Sequence, residues 1–125
     1  MNFSHFIDHI MTLLKTLGRY YYEQAPEGVA VPYGVLTAAW GEGPTERRDI
    51  VLTINIWDEA QSARHIEEMA DALQSALVGY VHLDGEMLTR LYPAGRLLIP
   101  DPNPDIKRRE LTFTALTHFT KEGNQ

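Results

Sequence analysis

The sequence lacks several features on which whole classes of function depend. It contains no cysteine, which excludes disulfides, thiolate metal sites and cysteine nucleophiles. No apolar run approaches the ~20 residues that a membrane-spanning helix needs, so we expect no membrane partner. Its 11 lysines and arginines are outnumbered by 17 aspartates and glutamates, for a formal net charge of −6. That balance disfavours broad electrostatic binding to nucleic acid, which needs cationic side chains against phosphate.

Catalytic and metal-binding motifs are missing as well. Gly41-Glu42-Gly43-Pro44 predicts a turn rather than a phosphate loop, because the lysine and the Ser/Thr of that motif do not follow. His5 and His9 lie four residues apart, but nothing in the sequence brings a third ligand such as His82 to them. There is no Gly-x-Ser-x-Gly nucleophile elbow. We therefore expect no cofactor, no metal and no enzymatic activity.

Two segments have the periodicity of amphipathic helices. Residues 3–17 repeat apolar side chains at i, i+3, i+4 and i+7, with Asn2 or Ser4 as the cap. A second helix begins near residue 59 or 62 and ends at residue 78, where Gly79 is a stop signal. Asp58 and Gln61 resemble a capping box at its start.

The remaining segments predict strands at residues 33–40, 47–57, 86–92 and 106–119, with residues 96–99 either continuing the third strand or forming it anew. Residues 19–31 are predicted to be irregular. In the second strand Ile50, Leu52, Ile54 and Ile56 alternate onto one face, and Thr53 and Asn55 onto the other. The sequence thus predicts one α+β domain over residues 1–125, with two helices packed on one face of a mainly antiparallel sheet in the order α-β-β-α-β-β.

Tyrosines and clustered charges are the candidate interface residues. The second helix carries an acidic outer face, and its adjacent Glu67 and Glu68 are interpreted as solvating charge rather than acid–base machinery. The basic clusters open two strands, where they either protect strand ends from edge-to-edge pairing, form salt bridges to a neighbouring subunit's acidic helix face, or contact phosphate. The candidates are Tyr21, Tyr22, Arg47, Arg48, Glu67, Glu68, Asp71, Lys107, Arg108 and Arg109.

One succession of segments resembles a known family. Ala25-Pro26-Glu27-Gly28, then Pro32-Tyr33 and a strand, then Arg48 to Trp57-Asp58 and an Ala/Leu-rich helix is similar to the tail terminator or tail completion proteins of long-tailed bacteriophages. The resemblance implies a non-enzymatic virion protein of a phage or prophage. Such a protein assembles as a homo-oligomeric ring, typically a hexamer, in the bacterial host cytoplasm and caps the tail tube. Its implied partners are its own copies, the tail-tube protein and a head-completion or connector protein, with DNA only passing through the lumen.

Two alternatives stay open at this stage. The first is another head–tail connector or neck protein, which would have the same size and charge as a tail terminator. A small α+β ligand-binding or enzymatic domain predicts instead a pocket between the first helix and the sheet, lined by convergent polar groups.

Overall fold

The computed structural model describes residues 2–41 and 47–120. Within those ranges the chain forms two helices and six strands. The helices are α1 (Phe3–Lys15) and α2 (Arg64–Leu77). The strands are β1 (Tyr20–Tyr22), β2 (Tyr33–Trp40), β3 (Arg47–Glu59), β4 (Val81–Leu83), β5 (Met87–Leu98) and β6 (Ile106–Phe119). Neither of these helices is long and apolar enough to cross a membrane. The turn predicted after Gly41 lies in residues outside the described ranges.

The strands form a single six-stranded sheet in the order β1-β2-β3-β6-β5-β4. Its centre is the long antiparallel ladder between β3 and β6, which runs from the Arg47–His118 pair to the Glu59–Ile106 pair. The β2–β3, β5–β6 and β4–β5 pairs are also antiparallel, whereas β1 runs parallel to β2. Strand β5 has a register shift between Pro93 and Gly95, and such a bulge changes the face on which the following side chains lie.

The core lies between the two helices and one face of the sheet. The alternating isoleucines and leucine of β3 are fully buried there, as the sequence predicted. The helices add their apolar stripes to the same buried cluster, including Phe6 and Ile10 from α1 and Leu73 from α2. Removing a side chain of this size from water contributes about 1.5–3 kcal/mol each. Both helices therefore cover the same face, and neither covers the opposite face.

The α+β class is confirmed, but the predicted element order is wrong. Two three-residue edge strands, β1 and β4, were not predicted, so the order is α-β-β-β-α-β-β-β. The segment predicted as irregular contains β1, and the β1–β2 pair departs from antiparallel pairing. The two strand segments expected around Pro93 form one continuous β5. Strands β2 and β6 have the predicted bounds.

The helix ends show which local signals decide the boundaries. Of the two predicted caps, Asn2 is the one that caps α1, because its side-chain oxygen accepts a hydrogen bond from the His5 backbone N–H at 3.1 Å. The predicted capping box of α2 is wrong, since β3 continues through Asp58 and α2 begins only after Ala63. Asp58 instead accepts a hydrogen bond from Nδ1 of His65 at 2.7 Å. Gly79 has φ of 75°, the left-handed conformation that ends a helix.

Candidate interaction surfaces

The sheet face opposite the helices carries a row of aromatic rings. Tyr21 meets Tyr33 edge-to-face with ring centroids 6.4 Å apart, and Tyr33 stacks on Trp57 at 5.1 Å. The Arg108 guanidinium lies 5.0 Å from the centre of the Trp57 ring, and its Nε donates a hydrogen bond to the Asn55 side-chain oxygen at 3.0 Å. We call the side chains of Tyr21, Tyr33, Trp57 and Arg108 the aromatic row. It crosses β1, β2, β3 and β6, and the cation–π and ring contacts hold it in one arrangement.

The same face also exposes aliphatic and aromatic side chains farther along the strands. Val51, Leu88 and Tyr92 are each about two-fifths exposed, at 41%, 39% and 41%. Tyr92 and Val51 lie opposite the same residue of β6, Thr114. Large side chains grouped on a face that no described helix covers are typical of contact surfaces.

Most of the acidic face of α2 forms ion pairs with arginines of the same chain. Arg96 Nη2 contacts Glu67 Oε1 at 2.8 Å, and Arg96 Nη1 contacts Asp71 Oδ1 at 2.9 Å and Gln74 Oε1 at 2.6 Å. Arg109 Nη2 lies 3.3 Å from the second Glu67 oxygen. The hydrogen bond from Arg96, together with Arg109, lowers the pKa of the Glu67 carboxyl, and the same carboxylate raises the pKa of Arg96. We call these five side chains the α2 network.

Some of the charged residues predicted to pair between subunits already pair within the chain, in the α2 network. Arg109 is only 5% exposed, and its guanidinium pairs with Glu67 of its own chain. Glu68 differs from Glu67, because among the described residues its exposed carboxylate pairs only with Arg64, at 3.5 Å. Among the acidic candidates, Glu68 and the exposed part of Asp71 remain available for a contact between subunits.

The other basic candidates lie at opposite ends of the sheet. Arg47, at the start of β3, pairs with Asp49 at 2.9 Å, and this hydrogen bond raises the pKa of Arg47. Arg48 is half-buried and donates from Nη1 to the carbonyl of Arg47 at 3.0 Å. Lys107, at the start of β6, donates to the carbonyl of Pro104. The structure therefore does not bring the two basic clusters together, because β3 and β6 run antiparallel.

The three consecutive tyrosines separate onto different surfaces. Tyr20 is in the core, and burial raises its pKa to about 12. Tyr22 packs against that core from a half-buried position. Tyr21 belongs to the aromatic row on the other face. Sequence reasoning singled out Tyr21 but missed Tyr33 and Trp57, although the alternation of β3 places Trp57 on the face away from Ile56.

Histidines that the sequence left apart meet at the edge of the sheet. Nε2 of His5 and of His82 both donate to Oδ2 of Asp84, at 2.7 and 2.8 Å. The His9 ring stacks on His82 with centroids 3.7 Å apart. The bond to Asp84 raises the pKa of His5, and the pKa of Asp84 is lowered mainly by the same bond, whereas burial lowers the pKa of His9.

These histidines connect α1 to β4 and to the turn that follows it. The bond between His9 and the Tyr80 hydroxyl, 2.8 Å long, adds to this connection. No group of three or more ligating side chains in residues 2–41 and 47–120 is placed to hold a metal ion. The cluster therefore fastens an edge strand to a helix.

The described residues thus define a small α+β protein with a curved sheet, a helix-covered core and one sheet face that no described helix covers. The match of residues 7–118 to a family model identifies the family. The chain belongs to the family "Tail completion protein gp17", which confirms the resemblance to tail completion proteins and makes it a structural protein of phage tails. No curated protein sequence matches the chain.

A solved structure shares the fold. A chain in the structure titled "Virion of native gene transfer agent (GTA) particle" superposes with a TM-score of 0.62 at 22% sequence identity. The match covers 86% of this chain and 82% of that chain. At this identity the likeness concerns the arrangement of helices and strands.

Proposed function

We propose that this protein is a tail terminator: a ring of six copies that caps the tail tube, ends its polymerisation and joins the tail to the head. The family match over residues 7–118 carries the proposal. The shared fold with a chain of a virion particle supports it. In this proposal the protein acts through its shape and catalyses no reaction, and it needs no cofactor.

A ring requires that each subunit offer two different surfaces. When a head-to-tail contact between them repeats with a rotation that closes, it produces a cyclic oligomer. The helix-covered side and the sheet face with the aromatic row differ in chemistry as this requires. Tyrosine, tryptophan and arginine are the residues most enriched at the energetic centres of protein interfaces. All four side chains of the aromatic row are of these types, and they lie on the neighbouring strands β1, β2, β3 and β6.

The charged candidates take a secondary role in this interface. Arg47, Arg48, Lys107 and Arg108 remain proposed contacts to acidic surfaces of a neighbour such as Glu68, whereas the pair of Arg109 and Glu67 stabilises the subunit itself. With a formal charge of −6 per chain, a ring also repels phosphate, so DNA passes through the lumen without being held.

The proposed partners are the tail-tube protein on one side of the ring and a head-completion or connector protein on the other. Assembly would take place in the bacterial host cytoplasm, and the finished protein would remain in the virion tail. No membrane is involved in this pathway.

Deletion of the gene from the phage or prophage that carries it tests the proposal. We expect headless tails of irregular, increased length in negative-stain electron micrographs, and tails of normal length joined to heads when the wild-type gene is supplied in trans. Headless tails of normal length would instead favour the alternative that the protein is another neck or connector component. Headed particles of normal length in the deletion strain would contradict both.

A further inference from the structure

We propose that the proline-rich loop of residues 99–105 in one subunit seats in the groove between α1 and α2 of the next subunit. This inference rests on the proposed ring and adds one specific contact between its neighbouring subunits. In the proposed contact the loop comes from one copy and the groove from the neighbouring copy. The loop is acidic and the groove is basic.

The groove lies between the end of α1 and the first half of α2. Its volume is about 640 Å³, within the range that accommodates a small ligand or a short chain segment. Six of the residues that line it are Lys15, Leu17, Arg19, Tyr20, His65 and Met69.

The groove is cationic at one wall. Lys15 and Arg19 are exposed, and neither has an acidic partner among residues 2–41 and 47–120. Glu68 also lines the groove, on its α2 side, and its carboxylate lies 3.5 Å from the Arg64 side chain. The partly exposed Leu17 and the half-buried Met69 add apolar surface beside the cations. The groove therefore suits a segment that carries both carboxylates and aliphatic side chains.

The loop of residues 99–105 has that composition. Asp101 and Asp105 are exposed, and just before the loop Leu97 and Leu98 are 57% and 63% exposed. Neither aspartate has a cationic side chain as a partner in the described part of the chain. Such exposure of two adjacent leucines beside unmatched carboxylates favours a contact that buries both kinds of group.

The loop is also held in one conformation before any contact forms. Its three prolines restrict the backbone, and Asp101 Oδ1 accepts the Asn103 N–H at 2.9 Å. Asn103 Oδ1 accepts the Asp105 N–H at 3.0 Å, and the Asp105 carbonyl accepts the Ala60 N–H at 2.8 Å. A segment that is ordered in advance loses little conformational entropy on docking.

The two surfaces lie at the same end of the sheet but on opposite flanks. The loop joins β5 to β6 where β3 ends, since Glu59 is the register partner of Ile106. The groove includes Tyr20 and Pro32 at the starts of β1 and β2, and Tyr33 is paired with Trp57 at that same end of β3. Four strand spacings, ~19 Å along the sheet, separate β1 from β5.

This placement determines how copies are related. A contact between opposite flanks at the same end sets neighbouring subunits side by side in the same orientation. Repetition of such a head-to-tail contact is what a cyclic ring requires.

Two charge-altered variants test the contact in the deletion strain. The groove variant carries Lys15→Glu and Arg19→Glu. The loop variant carries Asp105→Lys and Asp101→Asn, and the asparagine keeps the side-chain oxygen that orders the loop. Each variant alone places like charges at every contact, and we expect it to lower the yield of headed particles about tenfold or more. A matched control, Glu27→Lys at an exposed residue that neither lines the groove nor belongs to the loop, should leave the yield unchanged.

Co-expression of the two variants is the decisive arm. In a ring that alternates them, every contact again joins opposite charges, so we expect the yield to return to within about twofold of the wild type. Melting temperatures of the purified variants should match the wild type, which shows that they fold. Full activity of either variant alone, or failure of co-expression to restore the yield, would overturn the proposed contact. Failure of the wild-type gene itself to restore normal tails would instead reject the tail terminator function.

Discussion

Replacement of Glu67 by glutamine should destabilise the protein far more than the same change at the adjacent Glu68. Glu67 is the only acidic side chain in the described residues that contacts Arg109, at 3.3 Å, and it also binds Arg96 at 2.8 Å. The glutamine keeps the size and helix propensity of the side chain but removes its charge. Arg109 would then be a cation only 5% exposed that faces a neutral amide instead of a carboxylate, beside its hydrogen bond to the Arg108 carbonyl at 2.9 Å.

The expected size of the effect follows from the exposure of the two partners. Breaking a fully buried ion pair costs about 3–5 kcal/mol, whereas an exposed pair contributes about 0–1 kcal/mol. The Glu67 side chain is 45% exposed, so water screens part of its charge, and we expect a loss of about 2 kcal/mol. For a chain of this length that lowers the melting temperature by about 6–8 °C. Glu68→Gln, at a carboxylate 61% exposed, should cost less than about 0.5 kcal/mol.

Urea denaturation followed by tryptophan fluorescence measures both variants at pH 7. The hydrogen bond from Arg96 lowers the pKa of Glu67, so its stabilising contribution is present above the ordinary carboxyl pKa and is lost as pH falls through the lowered value. The difference between Glu67→Gln and the wild type should therefore shrink in acid. Equal losses for Glu67→Gln and Glu68→Gln, or a Glu67→Gln penalty that stays the same in an Arg109→Met background, would refute the argument.

Two further predictions concern other contacts of the fold. Gly34→Ala should lower stability by about 1–3 kcal/mol, because the added methyl would lie 2.6 Å from Cδ1 of Tyr20. Gly85→Ala meets nothing within 4 Å and should change the unfolding free energy by less than about 0.5 kcal/mol; a neutral Gly34→Ala in the same denaturation series would count against the close packing. The hydrogen bond to Asp84 raises the pKa of His5, so the stability it adds is present below the unfolded pKa and disappears as pH rises through the folded value. NMR titration of His5 should give a pKa above that of a free histidine, and the value should fall in Asp84→Asn; an unshifted pKa would contradict the pairing.

The periodicity of apolar side chains predicted the helices and strands that bury one face in the core. Strand β3 has a large aliphatic side chain at every second position from Ile50 to Ile56, so its buried face could be assigned from the sequence. The edge strands β1 and β4 could not be found in this way, since three residues provide less than two full repeats. The parallel β1–β2 pair depends on backbone hydrogen bonds, such as the one from Gly34 N–H to the Arg19 carbonyl at 2.9 Å, and periodicity does not encode these.

Among the charged residues, too, some positions follow from the sequence pattern and others depend on the three-dimensional structure. The burial of Arg109 was deducible, because it shares the odd-numbered face of β6 with Leu111 and Phe113. The contact of Arg96 with α2 was not, since the shift between Pro93 and Gly95 changes which face Arg96 occupies. The aromatic row could be predicted only in part. The alternation of β3 shows that Trp57 lies on the face opposite the core, but its neighbours in other strands depend on the register of the whole sheet.

The distribution of matched and unmatched charge limits how copies of this subunit can associate. A carboxylate already held by two arginines of its own chain gains little from a third, so the α2 network contributes chiefly to the stability of the subunit. In the proposed ring, the contacts between subunits would then come from the half-exposed aromatic row, from the aliphatic side chains near it, and from the cationic groove and acidic loop at the end of the sheet. Because the row and the loop are both ordered by contacts within the chain, their burial in the proposed ring would cost little conformational entropy, so modest surfaces would be enough to close it.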